Sequence, residues 1–257
     1  MATSNPVLHE NTFAQQPHAA GSSAIGSNDM MTIKGTVSKT LILLALVAFT
    51  FMLTWNSYYS NPEGLALPLG MGAGILAFVM SLVMSFKPHL SPMLAPPFAL
   101  IEGAFLGGIS AMYEQAYGTG AGQSGIVVQA MLGTVALFVT MLTLYRTGVI
   151  KVTPGFRTAV QMAMLGVVAV YLVSFVLSFT PVQIPYIHES GLIGIGFSVL
   201  VLGIASMMLA VDFNTIEVGA SSGAPRYMEW YGAFALLVTL VWIYLEMLRL
   251  LSKLRSR

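Results

Sequence analysis

The sequence predicts an all-α polytopic membrane protein of seven transmembrane helices, and three observations carry that prediction. Hydrophobic residues make up 56% of the 257 and charged residues only 8%, against about 25% charged in an ordinary soluble domain. Mean hydropathy is +0.79. Seven apolar runs near 20 residues each recur along the chain, the length that a helix rising about 1.5 Å per residue needs to cross a hydrocarbon core of about 30 Å. A formal net charge of +1 lacks the basic footprint of a nucleic-acid binder. Absence of cysteine excludes disulfide frameworks, Cys-ligated zinc, iron–sulfur clusters and thiol catalysis. Seventeen methionines suit adaptable packing between helices.

Residues 1–37 read as a disordered cytoplasmic tail, polar and rich in small residues up to about Lys34, without apolar periodicity. No basic residue precedes Lys34, so the tail does not read as a cleaved signal, and the first apolar run is expected to be a retained span. Residues 38–257 form the membrane domain. Its spans are predicted at about Thr40–Tyr58, Leu65–Phe86, Met93–Met112, Gly125–Tyr145, Phe156–Phe179, Gly191–Val211 and Trp230–Leu251. The dipeptides Asn61-Pro62, Lys87-Pro88, Thr153-Pro154 and Ala224-Pro225, with Pro181, supply turn residues between them. Ser91, Ser124, Thr153 and Ser190 are placed to cap the helices that follow.

Orientation follows from the basic residues. Lys34, Lys39, Lys87, Arg146, Lys151, Arg157 and Arg226 all flank spans on the side of the amino terminus, and the other connections carry Glu63, Glu114, His188 and Glu189 instead. The amino terminus is therefore expected in the cytoplasm, and a cell inner (plasma) membrane is the expected location. Arg249, Lys253, Arg255 and Arg257 at the chain end oppose this bias. Either the earlier bias dominates, or the last segment is re-entrant and returns the basic end to the cytoplasm.

Acids inside spans are the functional candidates, because each costs about 2.5–3.5 kcal/mol at mid-membrane on insertion scales. Glu102 lies roughly 14 Å into the third span at about 1.5 Å per residue, and no Lys or Arg shares that span. Gly103 and Gly107 beside it allow a neighbouring helix to approach. Asp212 closes the sixth span; it shares a helical face with Ile216, which turns the carboxylate toward the bundle. Glu246 in the seventh span has Arg249 at i+3 and Lys253 at i+7, so it reads equally as an ordinary ion pair and as a functional acid. Thr239 shares its face one heptad earlier. Each acid also has a plain structural reading, as a hydrogen-bonded carboxyl or a helix-end charge.

Other motifs carry less. Gly122-Gln123-Ser124-Gly125 resembles the Gly-x-Ser-Gly element of rhomboid-type intramembrane proteases, whose serine needs a histidine base on a later span. No predicted span contains histidine, so Ser124 reads as a helix cap and the chain is not expected to be an enzyme. His9, His18, His89 and His188 show no paired metal spacing. Phosphate-binding glycine loops are absent. The rings of Trp55, Tyr58, Tyr59, Trp230 and Tyr231 sit at span ends, as an interfacial aromatic belt does.

Residues 31–257 resemble the Bax inhibitor-1/YccA family of membrane proteins, in particular its bacterial members. The most specific stretch is Val211-Asp212-Phe213-Asn214-Thr215-Ile216, similar to the family's Tyr-Asp-x-x-x-Ile. Met228-Glu229-Trp230, Ile243-Tyr244-Leu245 and Leu248-Arg249-Leu250-Leu251 resemble its final span, and Met31 to Val37 and Ala99 to Gly103 resemble stretches of its bacterial branch. The resemblance implies six helices around a central seventh and a pH-sensitive passive calcium leak. It implies that Asp212 is the ion-facing acid, the one metal-contacting residue, paired in the family with a second aspartate whose shared proton gates the path. That second position falls on Thr239 here, which cannot titrate; Glu246 or Glu102 stand as alternatives. The family's basic gating partner corresponds to Lys87. No resident cofactor is implied, calcium or protons being cargo bound through oxygen ligands. The expected partners are the lipid bilayer and those ions, with a membrane protease or other membrane proteins as further candidates, and no nucleic acid. The rival expectation is a non-conducting regulator of membrane proteases or of stress responses.

Overall fold

A computed structural model describes residues 30–61, 64, 66–118, 125–177 and 191–256. Seven α-helices occupy nearly all of them: α1 Ile33–Ser60, α2 Ala66–Phe86, α3 Ser91–Tyr117, α4 Ile126–Arg146, α5 Pro154–Leu177, α6 Leu192–Ser221 and α7 Met228–Arg255. A 3-10 turn, Pro88–Leu90, joins α2 to α3. All seven helices are long and apolar enough to cross a membrane. The outward faces are apolar, with Ile75, Phe78 and Leu192 exposed, because lipid rather than water is the solvent there.

The helices start and stop for local reasons. Thr32 caps α1, its Oγ1 accepting from the Gly35 N–H at 2.9 Å, so residues 33–37, expected in the tail, are instead the first turns of α1; residues 1–29 lie outside the described residues. Thr153 caps α5 as expected, accepting from Phe156 N–H at 3.2 Å. Ser91 does not cap α3: it is the first helical residue, and its hydroxyl donates to the Pro88 carbonyl at 2.7 Å. Ser124 and Ser190 lie outside the described residues. The charge expected to stand in a loop before α4, Glu114, belongs to α3 and accepts from Val127 N–H at 3.0 Å, capping α4 from a neighbouring helix. At the end of α6, Gly223 at φ 70° donates to the Ala220 carbonyl while Ala224 donates to Gly219 at 3.0 Å. That paired closure stops the helix where only glycine avoids strain.

α7 is the central helix. α1, α3, α4 and α6 pack on it directly, while α2 packs on α3 and α5 on α6 at the flanks. Gly103 and Gly107 let α1 and α3 approach: a Cβ at Gly107 would stand 2.6 Å from the Phe51 carbonyl oxygen, and one at Gly103 would land on the Thr50 hydroxyl and the Val47 carbonyl. Such close contact of backbones is what associates helices in lipid, where no hydrophobic force acts between them.

α7 runs unbroken from Met228 to Arg255, a single continuous helix long and apolar enough to cross a membrane. The end that holds the start of α1 also holds the start of α7. There Met31 N–H donates to the Ala224 carbonyl at 2.7 Å, Glu229 accepts from Thr32 N–H and Oγ1 at 2.8 Å each, and it pairs with Lys39. At the opposite end Arg255 donates to the Tyr117 carbonyl at 2.7 Å and to Gln129 Oε1 at 3.0 Å.

Candidate functional site

α6 and α7 run antiparallel, and the polar side chains of α7 recur at heptad spacing along their seam. Thr239, Glu246 and Lys253 stand one heptad apart, so they line one face of the helix. Thr239 Oγ1 donates to Asp212 Oδ2 at 2.6 Å. Lys253 Nζ donates to Ser198 Oγ at 3.0 Å and to the Gly194 carbonyl at 2.9 Å. Between them, nearly fully buried Glu246 accepts from Tyr171 of α5 at 2.8 Å and from Arg249 at 2.7 Å, both through Oε2.

Asp212 is only 6% exposed and lies well inside α6, which continues to Ser221 rather than ending at Val211 as expected. The extension keeps helical hydrogen bonding through polar residues, Thr215 returning its hydroxyl to the Val211 carbonyl at 2.7 Å. Among the described residues Thr239 is the one hydrogen-bond donor to the Asp212 side chain. An ionised carboxylate offers about four acceptor positions, and most of these are left for a proton, water or a cation.

Glu102 is buried in α3, and among the described residues no hydrogen bond or ion pair reaches it. Phe98 and Ser110 place its face: Phe98 meets the Phe234 ring at 5.2 Å, and Ser110 and Tyr244 share a hydrogen bond at 2.6 Å. At about 100° per residue Glu102 falls between them in azimuth and faces α7, whereas Thr239 lies about 140° around α7 from Phe234. Glu102 and Asp212 therefore stand on opposite sides of the central helix and form no carboxyl pair. Glu246 is roughly 10 Å along the axis from Thr239 at about 1.5 Å per residue, engaged with Arg249 rather than with Asp212. Its Oε1, like Ser174 Oγ, is buried without a hydrogen-bond partner among the described residues.

Lys87 does not reach the site. It lies where α2 gives way to the Pro88–Leu90 turn, its side chain exposed. Calcium prefers six to eight oxygen ligands, and among the described residues no three acidic or histidine side chains gather; Asp212 with Thr239 supplies only part of such a shell. Tyr171 and Ser198 are not among the residues the sequence singles out, and Lys253 is singled out only as a basic residue two turns from Glu246. Lys253 carries a signal, the heptad spacing from Thr239 and Glu246, but the α5 tyrosine and the α6 serine reveal their role only through packing. His188 and Ser124 lie outside the described residues.

One large groove, about 1100 Å³, opens laterally between α1 and α4 over α7. Asp212, Thr239, Glu102 and Glu246 are all absent from its lining.

Compared with known proteins, the chain matches the family model described as Bax inhibitor 1 like over residues 5–256. No curated protein and no solved structure matches it.

Proposed function

The chain belongs to the Bax inhibitor 1 like family of membrane proteins, and on that premise we propose that it mediates a pH-sensitive passive leak of cations, calcium foremost, with Asp212 as the acid that meets the ion. The observation that carries this reading is the Asp212 carboxylate, shielded inside the bundle with a single hydroxyl donor among the described residues. An ionised acid in that setting needs a compensating charge, because burying it alone costs several kcal/mol. A proton and a cation compete for the same oxygens, which links ion passage to pH. Calcium suits these hard oxygen ligands, with water completing its shell. Glu102 is a second, isolated acid that responds to protons on the far side of α7.

The proposed setting is an inner (plasma) membrane with the amino terminus cytoplasmic. Lys34, Lys39, Lys87, Arg146, Lys151, Arg157 and Arg226 belong to the end where α1 begins. The opposing basic residues Arg249, Lys253 and Arg255, which contact Glu246, Ser198 and Gln129, are outnumbered by those seven.

Purified full-length protein in liposomes loaded with a calcium indicator tests the proposal. Calcium entry above that of empty liposomes is expected, falling as the medium is acidified and protons win the competition. Folded protein that passes no calcium at any pH overturns it and favours a non-conducting regulator.

A further inference from the structure

We propose that the lateral groove between α1 and α4 is a binding site for an anionic phospholipid, its phosphate held by Arg146 and Lys151 and its acyl chains lying along the α7 floor. α1 and α4 stand apart, and between them Leu236, Leu240 and Val241 of the central helix form the bottom of the groove. Along α1 it extends from Ile33 to Met52, roughly 28 Å at about 1.5 Å per residue, so it has the length of the hydrocarbon core.

The shaft is apolar in effect even where its residues are polar. Thr36, Thr40 and Thr134 return their hydroxyls to the carbonyls of Thr32, Thr36 and Ala130 at 3.0, 2.9 and 2.8 Å, each bond staying within its own helix. The polarity is concentrated at one mouth, the end where α1 begins. There Glu217 is engaged by the Tyr145 hydroxyl and Asn214 by Arg157 at 3.1 Å, while Arg146 and Lys151 are exposed and make no ion pair among the described residues. An apolar trough with two available cations at one end complements an anionic amphiphile. Zwitterionic lipid would bring an unmatched ammonium to the same cations. The assignment is independent of ion conduction, because the ion-facing acids do not line the groove.

The test uses the full chain incorporated into nanodiscs of equimolar phosphatidylglycerol and phosphatidylcholine, released into the gas phase and read by native mass spectrometry for retained lipid. Phosphatidylglycerol is expected to be enriched on the order of tenfold over phosphatidylcholine, from two basic contacts near the membrane surface. Arg146→Gln with Lys151→Gln should bring the ratio close to one, and both residues are exposed, so folding is not at stake. Val135→Trp, filling the shaft from an exposed position, should reduce retention of both lipids without changing charge. Equal retention of the two lipids by the unaltered protein, or an enrichment that survives the double substitution, overturns the proposal. So does efficient disulfide cross-linking between copies through Val37→Cys, which would mark the groove as a contact between two chains.

Discussion

Thr239 donates its hydroxyl to Asp212 Oδ2 at 2.6 Å, a hydrogen bond across the α6–α7 seam at the position where a second carboxyl would make a proton-sharing pair. With a hydroxyl there, the site holds one titratable group in place of two coupled ones. On the proposed function, flux is therefore expected to respond to pH as a single acid does, without the coupling of a two-carboxyl pair.

Asp212→Asn keeps the size of the side chain and an oxygen that can accept from Thr239, and removes the charge. Calcium entry into proteoliposomes is expected to lose its pH dependence, and the flux itself to fall. A variant whose flux still changes with pH as the unaltered protein does would show that another group sets the response.

Thr239→Val removes the donor without changing shape. The buried carboxylate then loses its hydrogen bond, at a cost of about 1–3 kcal/mol, and the thermal midpoint in detergent should fall. Thr239→Asp is expected to replace the single-step pH profile of flux with two steps, because carboxyls in contact titrate as a coupled pair.

Glu246 and Arg249 test the difference between breaking a buried pair and neutralising it. Arg249→Met strands a carboxylate that is 1% exposed, and a loss of roughly 3–5 kcal/mol is expected. Glu246→Gln leaves Arg249, whose side chain is less buried than Glu246 and still stacks on the Tyr171 ring, and should cost less. Unfolding midpoints of the two variants in one detergent decide the order; equal midpoints would contradict it.

The glycines give an internal control. Gly107→Ala places a methyl group 2.6 Å from the Phe51 carbonyl and should destabilise the α1–α3 contact by about 1–3 kcal/mol. Gly72→Ala, whose Cβ meets nothing within 4 Å, should be tolerated. Comparing thermal midpoints of the two variants separates close helix approach from glycine content as such.

The seven spans and their order were legible because hydrocarbon imposes one requirement on any crossing segment: an apolar stretch near 20 residues that satisfies its own backbone. Ends were less legible. α6 runs on past Val211 through Asn214 and Glu217 to the turn at Gly223, since polarity alone does not terminate a helix. The heptad relation of Thr239, Glu246 and Lys253 was readable for the same periodic reason.

Which helix each side chain meets could be decided only by packing. The sequence left Glu102 and Glu246 as alternatives for a second acid beside Asp212, and the family resemblance offered Lys87 as its basic partner. The bundle instead puts Glu102 across α7, gives Glu246 to Arg249 and Tyr171, and leaves Lys87 exposed at a turn. Periodicity along one chain sets the azimuth of a residue on its own helix, but not the rotation or neighbours of that helix. Those come from contacts between segments distant in sequence, such as the glycine approach of α3 to α1 and the antiparallel register of α6 on α7.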